Sequence, residues 1–149
     1  MQPEASGTLI ANLSTGEGIK AVAAKDGITA INIKSDRMLL AFGFLRAVFE
    51  IFERYKTPID MICTSEVAVS LTIDNDKHLN EILRELKEIS QVEVETEQTI
   101  ICVVGQLPKD KAGYAFKVME SLKTIPVRMV SYGGSNNNIS LLVNGSLKK

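Results

Sequence analysis

The chain has few of the residues from which disulfide or metal frameworks are built. Its 149 residues hold two cysteines and one histidine. Two thiols do not staple a small secreted domain, and with His78 as the lone histidine a closed Cys/His zinc site is out of reach. Cys63 and Cys102 each lie in an apolar or β-branched stretch and are expected as buried free thiols of a cytoplasmic protein. Charge of one sign is also missing. Seventeen Lys plus Arg face eighteen Asp plus Glu, a net charge of −1. That balance argues against a nucleic-acid binder driven by phosphate neutralisation. No apolar run approaches the roughly 18 residues of a membrane span. The start, Met1-Gln2-Pro3-Glu4, lacks the basic and apolar segments of an export signal. A phosphate-cradling glycine loop is absent too, since Gly133-Gly134 lie between two expected strands and not before a helix.

What is present is an ordinary globular composition, 45% hydrophobic and 23% charged. A chain of this length buries about two thirds of its unfolded surface, enough for a core without staples. Residues 3–18, rich in Gly, Ser, Thr and Asn, read as a linker. Ile19–Ala24 reads as a strand, Asp26-Gly27 as a hairpin turn, and Ile28–Lys34 as the returning strand. A loop over 35–42 leads to a helix over Gly43–Tyr55, with Phe44, Leu45, Val48, Phe49 and Phe52 on one face. It ends before Pro58. Strands follow at Ile59–Thr64 and Val67–Ile73. A second helix, capped by Asn75 or Asp76, carries Leu79, Ile82, Leu83, Leu86 and Ile89. His78, at its start, is expected in solvent. Val92 and Val94 alternate with Glu93 and Glu95 in a short edge strand, whose acids discourage edge pairing and make no metal site. Thr99–Val104 is a continuous apolar run, expected as a central strand. Then come a helix with Ala115, Val118, Met119 and Leu122, a strand at Val127–Tyr132, a turn over Gly133–Asn138, and a strand at Ile139–Val143. The chain stops where a last helix should begin.

An internal repeat organises these elements. Val48-Phe49-Glu50-Ile51-Phe52 parallels Val118-Met119-Glu120-Ser121-Leu122, an offset of 70. Pro58-Ile59-Asp60-Met61-Ile62 parallels Pro126-Val127-Arg128-Met129-Val130, an offset of 68. The expected fold class is therefore α+β, with two ferredoxin-like βαββαβ modules. Residues 1–18 link to something before them and 28–97 form the first module. The second is 98–149 completed by the spare strand 19–24, so that the first is inserted within it and the second is truncated before its last helix.

A free amino acid is a zwitterion. Its carboxylate can rest on backbone N–H groups at a helix N-terminus, here near Gly43–Leu45. An ammonium wants a carboxylate, and Asp60 and Glu66 flank the strand beside that helix. Met38, Phe44 and Leu45 suit an aliphatic stem. Asp60 has Arg128, of opposite charge, as its counterpart in the second module.

Met38-Leu39, then Gly43-Phe44-Leu45 before a helix, then Asp60-Met61-Ile62-Cys63-Thr64-Ser65-Glu66-Val67, together resemble the ACT-domain regulatory region of aspartate kinase. The lysine-sensitive monofunctional type is the nearest subgroup. Val130–Ile139 resembles the family's second ACT signature, and Gly7-Thr8-Leu9-Ile10 its link from the kinase half. The resemblance covers almost the whole chain. It implies an allosteric regulatory domain that binds an end-product amino acid, L-lysine, for feedback inhibition of aspartate-family biosynthesis. Carried over residue by residue, the ligand contacts fall on Met38, Ala41, Phe44, Leu45, Ile59, Asp60, Thr64, Ser65 and Glu66. Ala41 stands where the family often has serine, which removes a hydroxyl contact. The resemblance further implies a homodimer through the ACT modules and a covalently attached kinase domain. That domain phosphorylates L-aspartate with ATP and Mg, whereas this piece has no catalytic residues, no metal and no cofactor of its own. The alternatives are a threonine-responsive region of a bifunctional aspartokinase–homoserine dehydrogenase, or a dimerisation module without ligand.

Overall fold

The computed structural model describes residues 16–34, 42–108 and 110–147. The 1–15 part of the expected linker and residues 35–41, with Met38 and Ala41, lie outside the described residues. The elements are β1 (Gly18–Lys34), α1 (Phe44–Arg54), β2 (Met61–Thr64), β3 (Ala68–Ile73), α2 (Leu79–Ile89), β4 (Gln91–Gln106), α3 (Tyr114–Ser121), β5 (Val127–Ser131) and β6 (Asn138–Asn144). A single 3-10 turn, Gly145–Leu147, follows β6, and Asn144 Oδ1 accepts from the Ser146 backbone N–H and hydroxyl there. No helix among the described residues is long and apolar enough to cross a membrane.

All strands join one antiparallel sheet in the order β2-β3-β1-β4-β6-β5. Its spine is the pair of long strands β1 and β4. The later half of β1 (29–34) pairs with β3 on one side and with residues 91–95 of β4 on the other. The earlier half of β1 (18–25) pairs with residues 100–106 of β4, which pair in turn with β6. At one end the order β2-β3-β1-β4, with α1 and α2 as crossovers, is the βαββαβ arrangement. At the other end β1-β4-β6-β5 repeats that order with α3 as the crossover, and the first half of β1 supplies its outer strand.

The expected hairpin at Asp26-Gly27 does not form. Lys25 pairs with Ile100 and Ile28 with Gln98, so both flanks of the dipeptide take β4 as partner and not each other. The left-handed backbone that Asp-Gly favours is spent on a bulge, with Gly27 at φ 70°. An offset of 70 places Glu97 at the same point of β4, at φ 56°. For the same reason the expected edge strand around Val92 and Val94 is continuous with the apolar run after it, as one β4.

Three apolar clusters hold the fold. The first sets Ile31, Ile33, Val69, Leu71 and Ile73 of the sheet against Val48, Ile51 and Phe52 of α1 and Ile82 and Leu86 of α2. The third does the same with Val103, Ile139 and Leu141 under Val118 of α3. The second lies on the opposite sheet face and joins the two ends of the molecule through Ile28, Ala30, Met61, Ile100, Met129 and Leu142. Met61 and Met129 are repeat counterparts at an offset of 68, and they share this cluster. Nearby, the Cys63 thiol donates to the Val130 carbonyl at 3.4 Å, so the outermost strands β2 and β5 approach one another. Both cysteines are free but only half-buried, because they sit where strand faces meet and not under a helix. His78 is likewise half-buried, its ring 5.8 Å from that of Tyr55. It precedes α2 at the cap position, while Asn75 and Asp76 build the turn before it.

Candidate functional site

Helix α1 begins without the usual device for satisfying its first amides. Gly43 precedes it at φ 91°, a left-handed conformation with no side chain to turn back on the helix, and no side-chain cap forms. The first turn carries no acid. The amides of Phe44 and Leu45 therefore form a positive dipole end with no built-in anion in the first turn among the described residues. Gly113 before α3 repeats this geometry at φ 102°, again an offset of 70.

β1 and β2 both run antiparallel to β3, so they run parallel to each other and end at the same edge of the sheet. The chain enters α1 from that edge. It therefore brings the exposed Thr64-Ser65-Glu66 turn to the end of the sheet at which α1 starts. The Ser65 backbone N–H donates to the Ala68 carbonyl at 2.8 Å, and its hydroxyl makes a long second contact there at 3.4 Å. Glu66 is exposed. Phe44 is half-buried against the first cluster, and Leu45 is 39% exposed beside it.

Ile59 and Asp60 do not join this group. They lie at the start of β2, the opposite end of the strand from Glu66, a separation of up to about 20 Å at the usual rise per residue. Ile59 packs on the first cluster. The Asp60 backbone N–H donates to the Thr72 carbonyl at 2.9 Å, which extends the β2–β3 ladder by one residue. Its carboxylate is engaged, with Oδ1 2.9 Å from Lys25 Nζ, and that ammonium also lies 2.7 Å from Asp74 Oδ2. Hydrogen bonds donated to Asp74 and then to Asp60 hold the Lys25 pKa above its ordinary value, and Lys25 holds that of Asp74 below its ordinary value. One copy of the chain thus cannot place both acids on one small ligand.

The strand between these two half-sites, Met61–Thr64, is the outermost of the sheet. Ile62 of this strand is 37% exposed, and Cys63 beside it reaches the Val130 carbonyl of β5. The acids Glu93 and Glu95 each meet a cation, Lys34 at 2.9 Å and Arg128 at 3.1 Å. No group of three or more metal-ligating side chains exists among the described residues.

Sequence reasoning missed two features. One is Lys25, whose partners Asp60 and Asp74 are far away in sequence and become neighbours only through the β1–β3–β2 pairing. The other is a cleft of about 530 Å3 between the two kinks, lined by Asp26, Glu97, Gln98, Thr99, Asn144 and Ser146 among others. There Thr99 Oγ1 donates to Asp26 at 2.8 Å, and the buried Gln98 Oε1 has no partner. None of the seven described sequence-derived contacts lines this cleft.

Comparison with known proteins agrees with this architecture. The ACT domain family matches residues 101–149. The aspartokinase of Schizosaccharomyces pombe is 35% identical over 132 residues, covering 85% of this chain and 25% of that protein. A chain from Porphyromonas gingivalis W83, assigned as a C-terminal regulatory domain of aspartate kinase, is 52% identical. It covers 85% of this chain and 86% of its own length, with a TM-score of 0.75. Escherichia coli aspartokinase III, in complex with lysine and aspartate in its T-state, is 34% identical with a TM-score of 0.83. That match covers 97% of this chain and 34% of the bacterial enzyme. The chain spans about a quarter to a third of the length of the curated relatives it matches.

Proposed function

This chain belongs to the family of ACT-type regulatory regions of aspartate kinases, and from that premise we propose that it senses an end-product amino acid, L-lysine, and lowers the activity of a kinase domain when it binds. The observation that carries the reading is the uncapped, acid-free N-terminus of α1 at the sheet end that presents Thr64, Ser65 and Glu66. The helix end suits a carboxylate and Glu66 suits an ammonium. The lysine held by the structurally similar E. coli enzyme supports the choice of effector.

The separation of Asp60 from Glu66 supports a dimeric site. If two copies pair antiparallel along their β2 edges, Asp60 of one strand comes to lie beside the Ser65-Glu66 end of the other. The site then unites Phe44, Leu45, Thr64, Ser65 and Glu66 of one copy with Ile59 and Asp60 of the second. Met38 and Ala41, just before α1 in sequence, complete it by family resemblance. Within each copy, 28–97 form one ACT domain and 19–24 with 98–149 a second, the first threaded into the other. The kinase chemistry, transfer of a phosphoryl group from ATP to L-aspartate with Mg, belongs to a domain outside this chain.

Calorimetry with lysine, threonine and methionine tests the reading. Heat with lysine, lost in Glu66→Ala, is expected. Heat only with threonine would replace lysine as the effector, and no heat with any of the three would leave a dimerisation module without ligand. Ile62→Lys, which places a charge on the exposed face of β2, is expected to yield a monomer in sedimentation and to abolish lysine binding together with the dimer.

A further inference from the structure

We propose that Lys25 is a built-in counter-ligand of the effector site: its ammonium holds Asp60, an effector ammonium takes its place there, and Lys25 then rests on Asp74 alone. This rests on the reading of Asp60 as an effector contact.

The geometry supplies the exchange. Lys25 Nζ lies 2.9 Å from Asp60 and 2.7 Å from Asp74, so the ammonium has two carboxylates and keeps one when it gives up the other. No charge is left unpaired at any stage. The chemistry matches as well, because a lysine ammonium on a carboxylate is the same contact that free L-lysine makes with Asp60. Side-chain exposures of 47% for Lys25 and 25% for Asp60 leave the pair open to such exchange.

The internal repeat provides the control. At an offset of 70, Lys25 corresponds to Glu95 and Asp74 to Asn144, and at 68 Asp60 corresponds to Arg128. Glu95 and Arg128 do pair, at 3.1 Å, with the charges exchanged. The fold therefore accepts either polarity at this position, and an acid on the outer strand is a property of the first module alone. So is the second carboxylate, since the place of Asp74 is taken by a neutral amide. A structural staple needs one partner; a cation that must step aside needs two.

The position of Lys25 gives the step a consequence. It lies two residues before the Gly27 kink, in the half of β1 that pairs with Ile100 of β4, on the strand shared by both ends of the sheet. A shift of Lys25 from two carboxylates to one acts on that shared strand. It supplies a pair of states for which effector and free chain have different preferences.

Titration calorimetry of the whole chain with L-lysine tests this, on wild type, Lys25→Met, Lys25→Arg and Asp74→Asn. An exposed ion pair contributes enough to change an affinity by about two- to five-fold. Lys25→Met is expected to bind lysine tighter by about that factor. Asp74→Asn, which leaves Lys25 committed to Asp60, is expected to bind weaker by a similar factor, and Lys25→Arg to stay near wild type. Unchanged or weaker binding by a Lys25→Met protein with wild-type circular dichroism overturns the inference. A purely structural Lys25 would weaken binding in both variants. If Lys25→Met does not fold, Asp74→Asn decides, and unchanged or tighter binding there overturns the inference. An Asp60→Asn protein that binds lysine with the affinity of wild type removes the premise, a result distinct from any Lys25 outcome.

Discussion

The paired kinks of β1 and β4 allow the repeat to be tested as energy. Gly27 sits at φ 70° and its counterpart Glu97 at φ 56°. A Cβ added at Gly27 meets nothing within 4 Å, so Gly27→Ala adds no clash and reads backbone strain alone. Left-handed backbone costs an L-residue about 1–2 kcal/mol, and alanine recovers about 0.4–1 kcal/mol through its smaller unfolded-state entropy. The net expectation is a loss of about 1 kcal/mol. Glu97→Gly should run the other way, with a gain of about 0.5–1 kcal/mol, since the same strain is relieved at the same entropic cost. The exposed Glu97 side chain adds little to the balance. Urea unfolding reads both as midpoint shifts at constant slope. In thermal melts each kcal/mol corresponds to about 2–4 °C for a chain of this size. Gly27 and Glu97 line one cleft and their neighbours Ile28 and Gln98 pair, so the double variant is not expected to be additive. A neutral or stabilising Gly27→Ala, or a destabilising Glu97→Gly at unchanged slope, would refute the equivalence of the two bends.

The first cluster should be the more sensitive core: Phe52→Ala removes a fully buried ring beneath α1 and is expected to cost about 3–5 kcal/mol in chemical denaturation. The Lys25–Asp74 pair should mark both ends of the pH–stability profile. Asp74 has a folded-state pKa lowered by Lys25, so its contribution is present above the unfolded value near about 3.9 and is lost as pH falls through the folded one. Lys25 has a folded pKa raised by Asp74 and Asp60, so its contribution is present below about 10.4 and is lost as pH rises through the folded value. Asp74→Asn is expected to flatten the acid limb, measured as melting temperature against pH. An acid limb of unchanged slope in that variant would contradict the assignment.

Much of this architecture was legible from periodicity. The stripe of Val48, Ile51 and Phe52 and that of Ile82 and Leu86 are buried as their spacing requires. The strand expected at 19–24 forms, and it pairs with residues 101–105 of β4. The Asp26-Gly27 turn was misread because positive φ is the shared requirement of a tight hairpin and a bulge, and only the partner strand distinguishes them. The placement of the expected contacts was only partly legible. Ser65 and Glu66 lie at the end of the sheet where α1 starts, as their order implies, but Asp60 lies at the other end of a strand too short to look like a barrier in sequence. Strand direction separates them, and no residue type encodes it. The partner of Asp60 was hidden for the same reason, since Lys25 is 35 residues away and reaches it across two strand pairings.

The same repeat also argues about how the two halves came to differ. Where the fold needs a residue, the halves agree: Gly43 and Gly113 both open a helix in left-handed backbone, Val48 and Val118 are both buried, and Met61 and Met129 meet in one cluster. Where the fold is indifferent they diverge in sign. Lys25 opposite Asp60 becomes Glu95 opposite Arg128, and either arrangement closes an ion pair at the start of an outer strand. An exposed ion pair contributes too little to stability for folding alone to prefer one polarity. On the proposed reading of Asp60, polarity decides which ligand charge can displace the internal partner. An acid on the outer strand admits an ammonium, and a guanidinium there would admit a carboxylate. Exchange of both charges in the first half, Lys25→Glu with Asp60→Arg, made together with Asp74→Asn to match Asn144 of the second half, should therefore leave the fold intact and remove lysine binding, whereas loss of the fold would mean that the polarity is structural after all.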